Sequence, residues 1–317
     1  MTDLNAPKIT IGPQSPSHLA KVGHWTGDLY LRFASSSLPE EVEQTTPTRQ
    51  ASQATRAMKT VVAERQHQGP YTVQRPFYPE GGVCHSILLH PPGGLVEGDV
   101  LSLKVDCEPG SHAFMTTPSA GKVYECSSSF AAQQQLFHIH DCAILEWFPQ
   151  EMILYDRSKS DLKTDIRLYG NGQFIGWEMV CFGRPIAGDH FSEGELHQFV
   201  SLYRDDKPIL LERTLFDASS DMRQDAYGFA GYQAMGVFLM TGSNKSHLER
   251  AREVIDELGD DVRDHIQIGF TLLDDVLVGR VLMHQTRFAK TALTAVWSEL
   301  REDLINVPAM MPRIWLT

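Results

Sequence analysis

The stretch Gln135-Leu-Phe-His-Ile-His140, followed closely by Ile144-Leu-Glu-Trp-Phe148, decides the fold. Both runs are short, rich in apolar and aromatic residues and bounded by turn-forming residues, which is typical of strands. Similar runs stand at 86–90, 100–105 and 113–117. Clusters of Gly, Pro, Asp or Ser separate them at intervals of roughly 8–15 residues, a spacing that predicts many short strands in a sandwich, a barrel or a β-solenoid.

In the N-terminal part of the chain, the sequence predicts one strand between two irregular segments. Residues 1–20 show no apolar periodicity and predict a mobile tail. Leu29, Leu31 and Phe33 then alternate with polar residues, which predicts a strand. Residues 34–57 are rich in Ser, Thr, Gln and Glu, and they predict a surface loop or a disordered insertion.

The C-terminal third has a different pattern. Apolar residues at helical spacing predict helices near 246–258 and 284–301, the first with Gly259 as its C-cap. Strand-like runs at 266–270 and 275–279 lie between them. The chain is therefore predicted to be mainly β, with a small α/β C-terminal addition of about two helices.

Charge and composition exclude several classes of protein. The chain of 317 residues carries 28 Lys+Arg against 40 Asp+Glu, a net charge of −12. This charge excludes a nucleic-acid binder that relies on positive potential, and it suits a cationic partner such as a metal ion. The most apolar stretch, 227–242, is broken by glycines and too short to span a membrane. Without a signal-peptide pattern at the N-terminus, we expect a cytoplasmic protein.

Most signatures of chemistry are absent from the sequence. No Gly-x-Ser-x-Gly, His-Glu-x-x-His, Rossmann glycine triplet or P-loop occurs, so the chain is not expected to hydrolyse nucleotides. The five cysteines form no Cys-x-x-Cys pair, which excludes a zinc ribbon and predicts cysteines packed as small hydrophobic residues.

Two histidines and several carboxylates remain as candidates. His138 and His140 would lie on one face of a strand, where they could share a metal, but without a third ligand a polar outer face is the favoured interpretation. Carboxylates also stand in apolar or glycine-rich runs. A carboxylate on such a strand points to water, or else it is buried and must be paired, protonated or bound to a cation. These residues are Asp99, Glu146, Glu178 and Glu212.

Several long segments resemble the urease accessory protein UreD family, called UreH in some systems. The resemblance runs in order from about Trp25 to the end of the chain. The matching segments are 69–80, 89–99, 116–124, 145–151, 176–185, 210–213 and 312–317.

The resemblance implies a fold and a function. The fold is a single domain over 21–317 with a β-helix-like, solenoid body and a few C-terminal helices. The family is not catalytic and has no tightly bound cofactor. It docks on apo-urease and on UreF, which recruits the GTPase UreG, and the complex delivers transient Ni²⁺ to urease; no nucleic acid or membrane is involved.

The resemblance also gives the motif residues roles. Asp99, Glu178 and Glu212 are predicted to line a hydrated passage, because oxygen ligands bind a divalent first-row ion weakly enough to release it. The residues predicted to bind partners are Lys122, Tyr124 and Arg184. Arg184 is predicted to clamp a carboxylate, with an internal strut at a turn as the alternative.

The sequence departs from the family pattern at two acidic positions. Glu125 stands where the family has arginine, and Glu97 stands where it has glycine. Both are expected to alter contacts with partners. Two other functions stay open: a β-solenoid scaffold that never touches metal, and, less favoured, a metal-dependent hydrolase that uses His138 and His140.

Overall fold

The computed structural model describes residues 25–37 and 58–316. It is mainly β, with a β-solenoid of about four turns and three helices. The helices are α1 (Lys245–Asp256), α2 (Asp260–Arg263) and α3 (Thr286–Ile305). The strands are β1 (Thr26–Ser37), β2 (Met58–Gln68), β3 (Thr72–Val73), β4 (Cys84–Leu89), β5 (Val100–Cys107), β6 (His112–Thr116), β7 (Gly121–Val123), β8 (Ala131–Ile139), β9 (Ile144–Phe148), β10 (Met152–Leu154), β11 (Lys159–Leu168), β12 (Gln173–Phe182), β13 (Glu195–Arg204), β14 (Lys207–Asp217), β15 (Ala234–Thr241), β16 (Ile266–Leu273) and β17 (Val276–Met283).

The solenoid arises because the chain alternates between two facing sheets. Strands β5, β8, β11 and β13 lie parallel in a seven-stranded sheet of order β14-β13-β11-β8-β5-β1-β2. Strands β4, β6, β9 and β12 lie parallel in the second sheet, whose main path is β16-β17-β15-β12-β9-β6-β4-β3. The short strands β7 and β10 pair with each other in parallel along a third side.

Antiparallel strands close both ends of the parallel stack. At one end β2 pairs with β1, and at the other β14 pairs with β13. In the second sheet β15, β17 and β16 continue from β12 in antiparallel order. The prediction of many short strands is therefore confirmed, and of the three architectures left open the solenoid is the one found.

Two apolar cores hold these layers together. The first lies between the sheets and contains residues that alternate inward along their strands, such as Phe137 and Ile139 on β8. The second lies between the outer face of the larger sheet and the helices, where Trp297 and Leu293 of α3 are fully buried. The polar residues that interrupt the first core are therefore the candidates for a functional site.

The helices follow the predicted pattern with one difference. Helix α1 begins after Asn244, whose side chain accepts from the N–H groups of Ser246 and His247. It ends at Asp256, and Gly259 is the N-cap of α2 rather than the predicted C-cap. Within the described chain, no helix is long and apolar enough to cross a membrane.

The predicted loop at 34–57 starts too early. Strand β1 continues through Ser37 and pairs with β2, so residues 34–37 are strand and that part of the prediction is wrong. Residues 34–37 pair with 58–61 of β2, from Ala34 opposite Val61 to Ser37 opposite Met58, a pairing that the polar composition of 34–37 did not indicate. Residues 38–57 and the predicted tail at 1–20 lie outside the described residues.

The cysteines agree in part with the prediction that they pack as small hydrophobic residues. Cys84, Cys107 and Cys126 are buried as free thiols, and Cys181 is half-buried. Cys142 is exposed in a turn with φ of 57°, so the expectation is wrong for it.

Candidate functional site

A cavity of about 340 Å³ lies between the two sheets, and polar side chains from both sheets line it. Gln133 and Gln135 of β8 and Gln198 of β13 project from the seven-stranded sheet. Glu178 of β12 projects from the opposite sheet. A carboxylate and three amides therefore converge inside a solenoid whose interior is mostly apolar.

The period of two along the strands puts these groups inside. Gln135 is two residues before Phe137 and shares its inward face, where only 6 % of it is exposed. The parallel register places Thr164 of β11 directly beside Gln135. The inward row of β8 and β11 thus changes from apolar to polar next to the cavity.

Glu178 is held by neutral hydrogen-bond donors. Its Oε1 accepts from the Thr164 hydroxyl at 2.5 Å and from the Gln135 amide at 3.1 Å. Burial raises the pKa of Glu178 above its ordinary value, and the hydrogen bonds, Thr164 first, offset this only in part. A half-buried carboxylate held this way gains from protonation or from an approaching cation.

Three polar atoms around the cavity have no hydrogen-bond partner among the described residues. They are Oε1 of Gln135, Nε1 of Trp147 and Nε2 of His90, each on a residue that lines the cavity. Buried polar groups are nearly always satisfied by protein or by ordered water. The cavity is therefore chemically suited to hold water or a polar solute.

His90 is a cavity residue that sequence reasoning missed. Its ring lies 5.5 Å from the Trp25 ring and 6.3 Å from that of Tyr71, and burial lowers its pKa, which favours the neutral imidazole. It stands at the end of β4, within the family-like segment 89–99. Its position in that segment is the sequence feature that could have identified it as a site residue.

Family-like segments form the mouth of the cavity. Pro91 and Gly93 line one side, and residues 117–122 line the other. Pro91 and Ser119 are exposed, so the cavity opens to solvent between these loops. Lys122, predicted to bind a partner, lies here and half-buried.

A second cavity, of about 510 Å³, is lined by residues of β13, β14, β15, β16 and β17. Gln198 lines both cavities. Glu178 also borders a small void whose walls include Val200 and Val237, and both of these valines line the second cavity.

Glu212 lies in the wall of this second cavity. It is on β14, and its Oε2 pairs with Nη2 of Arg280 on β17 at 2.8 Å. The pair connects β14, the edge strand of the seven-stranded sheet, with β17 of the second sheet. Glu212 is partly exposed, so of the two alternatives left open by its apolar run, full burial is not the one found. Its neighbours Leu211 and Leu215 point outward and are exposed.

Asp99 lies apart from both cavities. In the described chain it is not among the residues that line them, and it is 2 % exposed. Its Oδ2 accepts from the N–H of Val96 at 3.0 Å and closes the glycine-rich turn. Glu178 and Glu212 thus line two different cavities that share Gln198, and Asp99 has a local structural contact.

The predicted partner-binding residues divide between two places. Tyr124 and Arg184 line a surface depression of about 560 Å³ that Lys122 does not line. The Tyr155 ring lies between them, 4.9 Å from the ring of Tyr124 and 4.1 Å from the Arg184 guanidinium. Arg184 also pairs with Asp189 at 3.4 Å. The strut and the partner clamp proposed for Arg184 are therefore compatible, since the side chain is exposed while it is paired.

Glu97 and Glu125 both make contacts within the chain. Glu97 accepts from the N–H groups of Ser127, Ser128 and Ser129 at 2.8–2.9 Å, and the Ser128 contacts contribute most to lowering its pKa to about 2. Glu125 pairs with Arg157 at 2.7 Å. Each acid thus binds a neighbouring segment of its own chain.

The histidine pair has ordinary partners. His138 faces Asp106, with Nδ1 3.6 Å from its Oδ1, and His140 stacks on Tyr169. Across residues 25–37 and 58–316 no three His, Cys, Asp or Glu side chains form a group that could hold a metal. The structure therefore offers no support for a hydrolase centred on these histidines.

Comparison with known proteins gives one family. The model of the UreD urease accessory protein family matches residues 49–316. The chain is 41 % identical over 262 residues to the urease accessory protein UreD of Alcanivorax borkumensis, covering 83 % of this chain and 87 % of that one. It is 37 % identical to the protein of the same name from Citrobacter koseri, covering 82 % and 88 %. The corresponding protein of Dechloromonas aromatica is 36 % identical, with 82 % and 90 % covered.

Proposed function

The chain belongs to the UreD family of urease accessory proteins, and from this premise we propose that it is a non-catalytic scaffold for urease maturation. In this proposal it docks on apo-urease with UreF and, through UreF, with the GTPase UreG. Nickel is the cargo of the complex, and it passes through the interior of this chain to urease.

The polar cavity around Glu178 carries the proposal. A scaffold that only joined other proteins would gain nothing from a half-buried carboxylate without a charged partner, because removing a charge from water costs free energy. A cation that enters the cavity would replace the missing positive charge. Carboxylate and amide oxygens bind a divalent ion weakly enough for release.

The arrangement of the cavities supports a route. The first cavity opens between the loops around Pro91 and Ser119 and extends to Gln198. The second cavity shares Gln198 and ends beside Glu212 at the sheet edges. Glu178 and Glu212 would thus meet the ion in turn. Asp99 would act indirectly, by holding the glycine-rich turn next to the mouth.

The decisive experiment replaces Glu178 by glutamine in the complete activation complex. E178Q keeps the size of the side chain and a carbonyl oxygen that can accept from Thr164, but it removes the charge. We expect normal assembly on gel filtration and a lower nickel content in urease. The matched control is E195Q, which removes a carboxylate on β13 that pairs with Lys159 at 3.0 Å on the surface.

The alternative, a scaffold without metal contact, predicts a different result. If E178Q assembles normally and urease receives as much nickel as with the unaltered chain and with E195Q, the passage is wrong. The scaffold without metal contact would then be the better description.

A further inference from the structure

We propose, building on the passage proposed above, that His90 is a nickel ligand at the mouth of the first cavity and that its imidazole selects Ni²⁺ over Mg²⁺ and Ca²⁺. The carboxylate and amide oxygens of the passage do not make this selection. The proposed ligand atom is Nε2 of His90.

The geometry of His90 is that of a ligand without an occupant. Nε2 is buried, has no hydrogen-bond partner among the described residues, and belongs to a side chain that lines the cavity. The ring is enclosed by Trp25 and Tyr71, with centroids 5.5 and 6.3 Å away. A ring held in this way loses little conformational freedom when it binds an ion.

His90 also stands at the right point along the route. It is followed by the exposed Pro91 at the mouth, and Glu178 and Gln198 line the same cavity. In the proposed route an ion that enters between the loops meets the imidazole before the Glu178 carboxylate. The unpartnered Oε1 of Gln135 offers an oxygen donor in the same space.

Ligand chemistry explains why a nitrogen is useful here. Carboxylate, carbonyl and water oxygens suit Mg²⁺ and Ca²⁺, while imidazole suits Ni²⁺ and its first-row neighbours. One imidazole at the entrance would favour nickel without forming a permanent site. The described residues hold no three-ligand cluster that would retain the ion, and a transit site must release its cargo.

The test measures nickel binding rather than urease activity. The purified full chain, or its complex where the chain requires partners, is dialysed against NiCl₂ with and without excess MgCl₂. Nickel X-ray absorption then reports whether an imidazole ligates the ion. We expect one imidazole in the unaltered chain, its loss in H90N, and nickel affinity at least about tenfold lower in H90N.

Two variants make the result specific. H140N removes an imidazole that also stacks on an aromatic ring, at 5.0 Å from Tyr169, but lies outside the cavity, so it should leave the signal unchanged. H90Q serves if H90N does not fold. The inference is overturned if H90N or H90Q keeps the imidazole signal and affinity, or if no imidazole is seen in the unaltered chain. In either case the E178Q experiment still tests the passage by itself.

Discussion

The guanidinium of Arg301 on α3 lies 2.7 Å from the Glu146 carboxylate on β9, and both side chains are completely buried. Arg301 also pairs with Glu80 at 2.6 Å, and Glu146 accepts from His112 at 2.7 Å. Helix α3 is thus attached to the solenoid by charges as well as by the aromatic packing of Trp297. The carboxylate at position 146, one of those left open by the sequence, has a structural partner.

Replacing Arg301 by methionine should destabilise the chain by about 3–5 kcal/mol, because it leaves two buried carboxylates without their cation. Urea unfolding followed by circular dichroism measures the loss. R250M is the control: Arg250 pairs with Glu299 at 2.8 Å on the surface of the same helical layer, so its loss should be much smaller. Equal losses in the two variants would contradict a structural role for the buried pair.

Acid should weaken the same attachment. Burial alone would raise the pKa of Glu146, but the hydrogen bonds from His112 and Arg301 outweigh it and hold the pKa well below 4.5. A carboxylate whose pKa is lower in the folded state stabilises the fold above the pKa of the unfolded chain, and this contribution is lost as the pH falls. Urea unfolding from pH 7 to pH 3 should therefore show a steeper loss below about pH 4.5 in the unaltered chain than in E146Q. Parallel curves would refute the assignment.

The alternation of apolar residues predicted the strands and helices well, because it depends on local periodicity. The inward-facing alternation at Phe137 and Ile139, and the helical spacing of apolar residues around Trp297, show this. The position of Glu178 was harder to predict, since a glutamate in an apolar strand can face water or the interior. Only the opposing strand, with Gln135 and Thr164, decides which. Glu212 had a similar pattern, but it lies next to a sheet edge where Arg280 and solvent reach it.

Asp99 should act on stability rather than on nickel directly. Its carboxylate is buried and bound to the Val96 N–H, so D99A should cost about 1–3 kcal/mol. D99N keeps a carbonyl oxygen that can accept this hydrogen bond, and it should retain most of the stability. Urea unfolding of the two variants distinguishes these values. If D99N assembles and is stable but urease still lacks nickel, Asp99 touches the cargo after all.

Glu97 should order the segment around Ser128. Its carboxylate binds three successive backbone N–H groups, and its pKa of about 2 keeps it charged at neutral pH. In E97G, which removes the carboxylate, the amides of Ser127, Ser128 and Ser129 should exchange with deuterium faster. Exchange at the amide of Tyr124, which donates to the carbonyl of Leu95, serves as the internal control. Unchanged rates at all three serines would show that the loop is ordered without the carboxylate.

Variants of the pair between Glu212 and Arg280 should distinguish effects on stability from effects on nickel transfer. Both side chains are partly exposed, so E212Q and R280Q should each change the free energy of unfolding by less than about 1 kcal/mol. Their effects on nickel transfer should differ, because E212Q removes the charge beside the second cavity while R280Q leaves that carboxylate without its competing cation. We expect a lower nickel content of urease with E212Q, and an unchanged or higher content with R280Q, in complexes that gel filtration shows to be intact. A similar decrease in both variants would mean that the ion pair itself is required, and that Glu212 is not a ligand along the route.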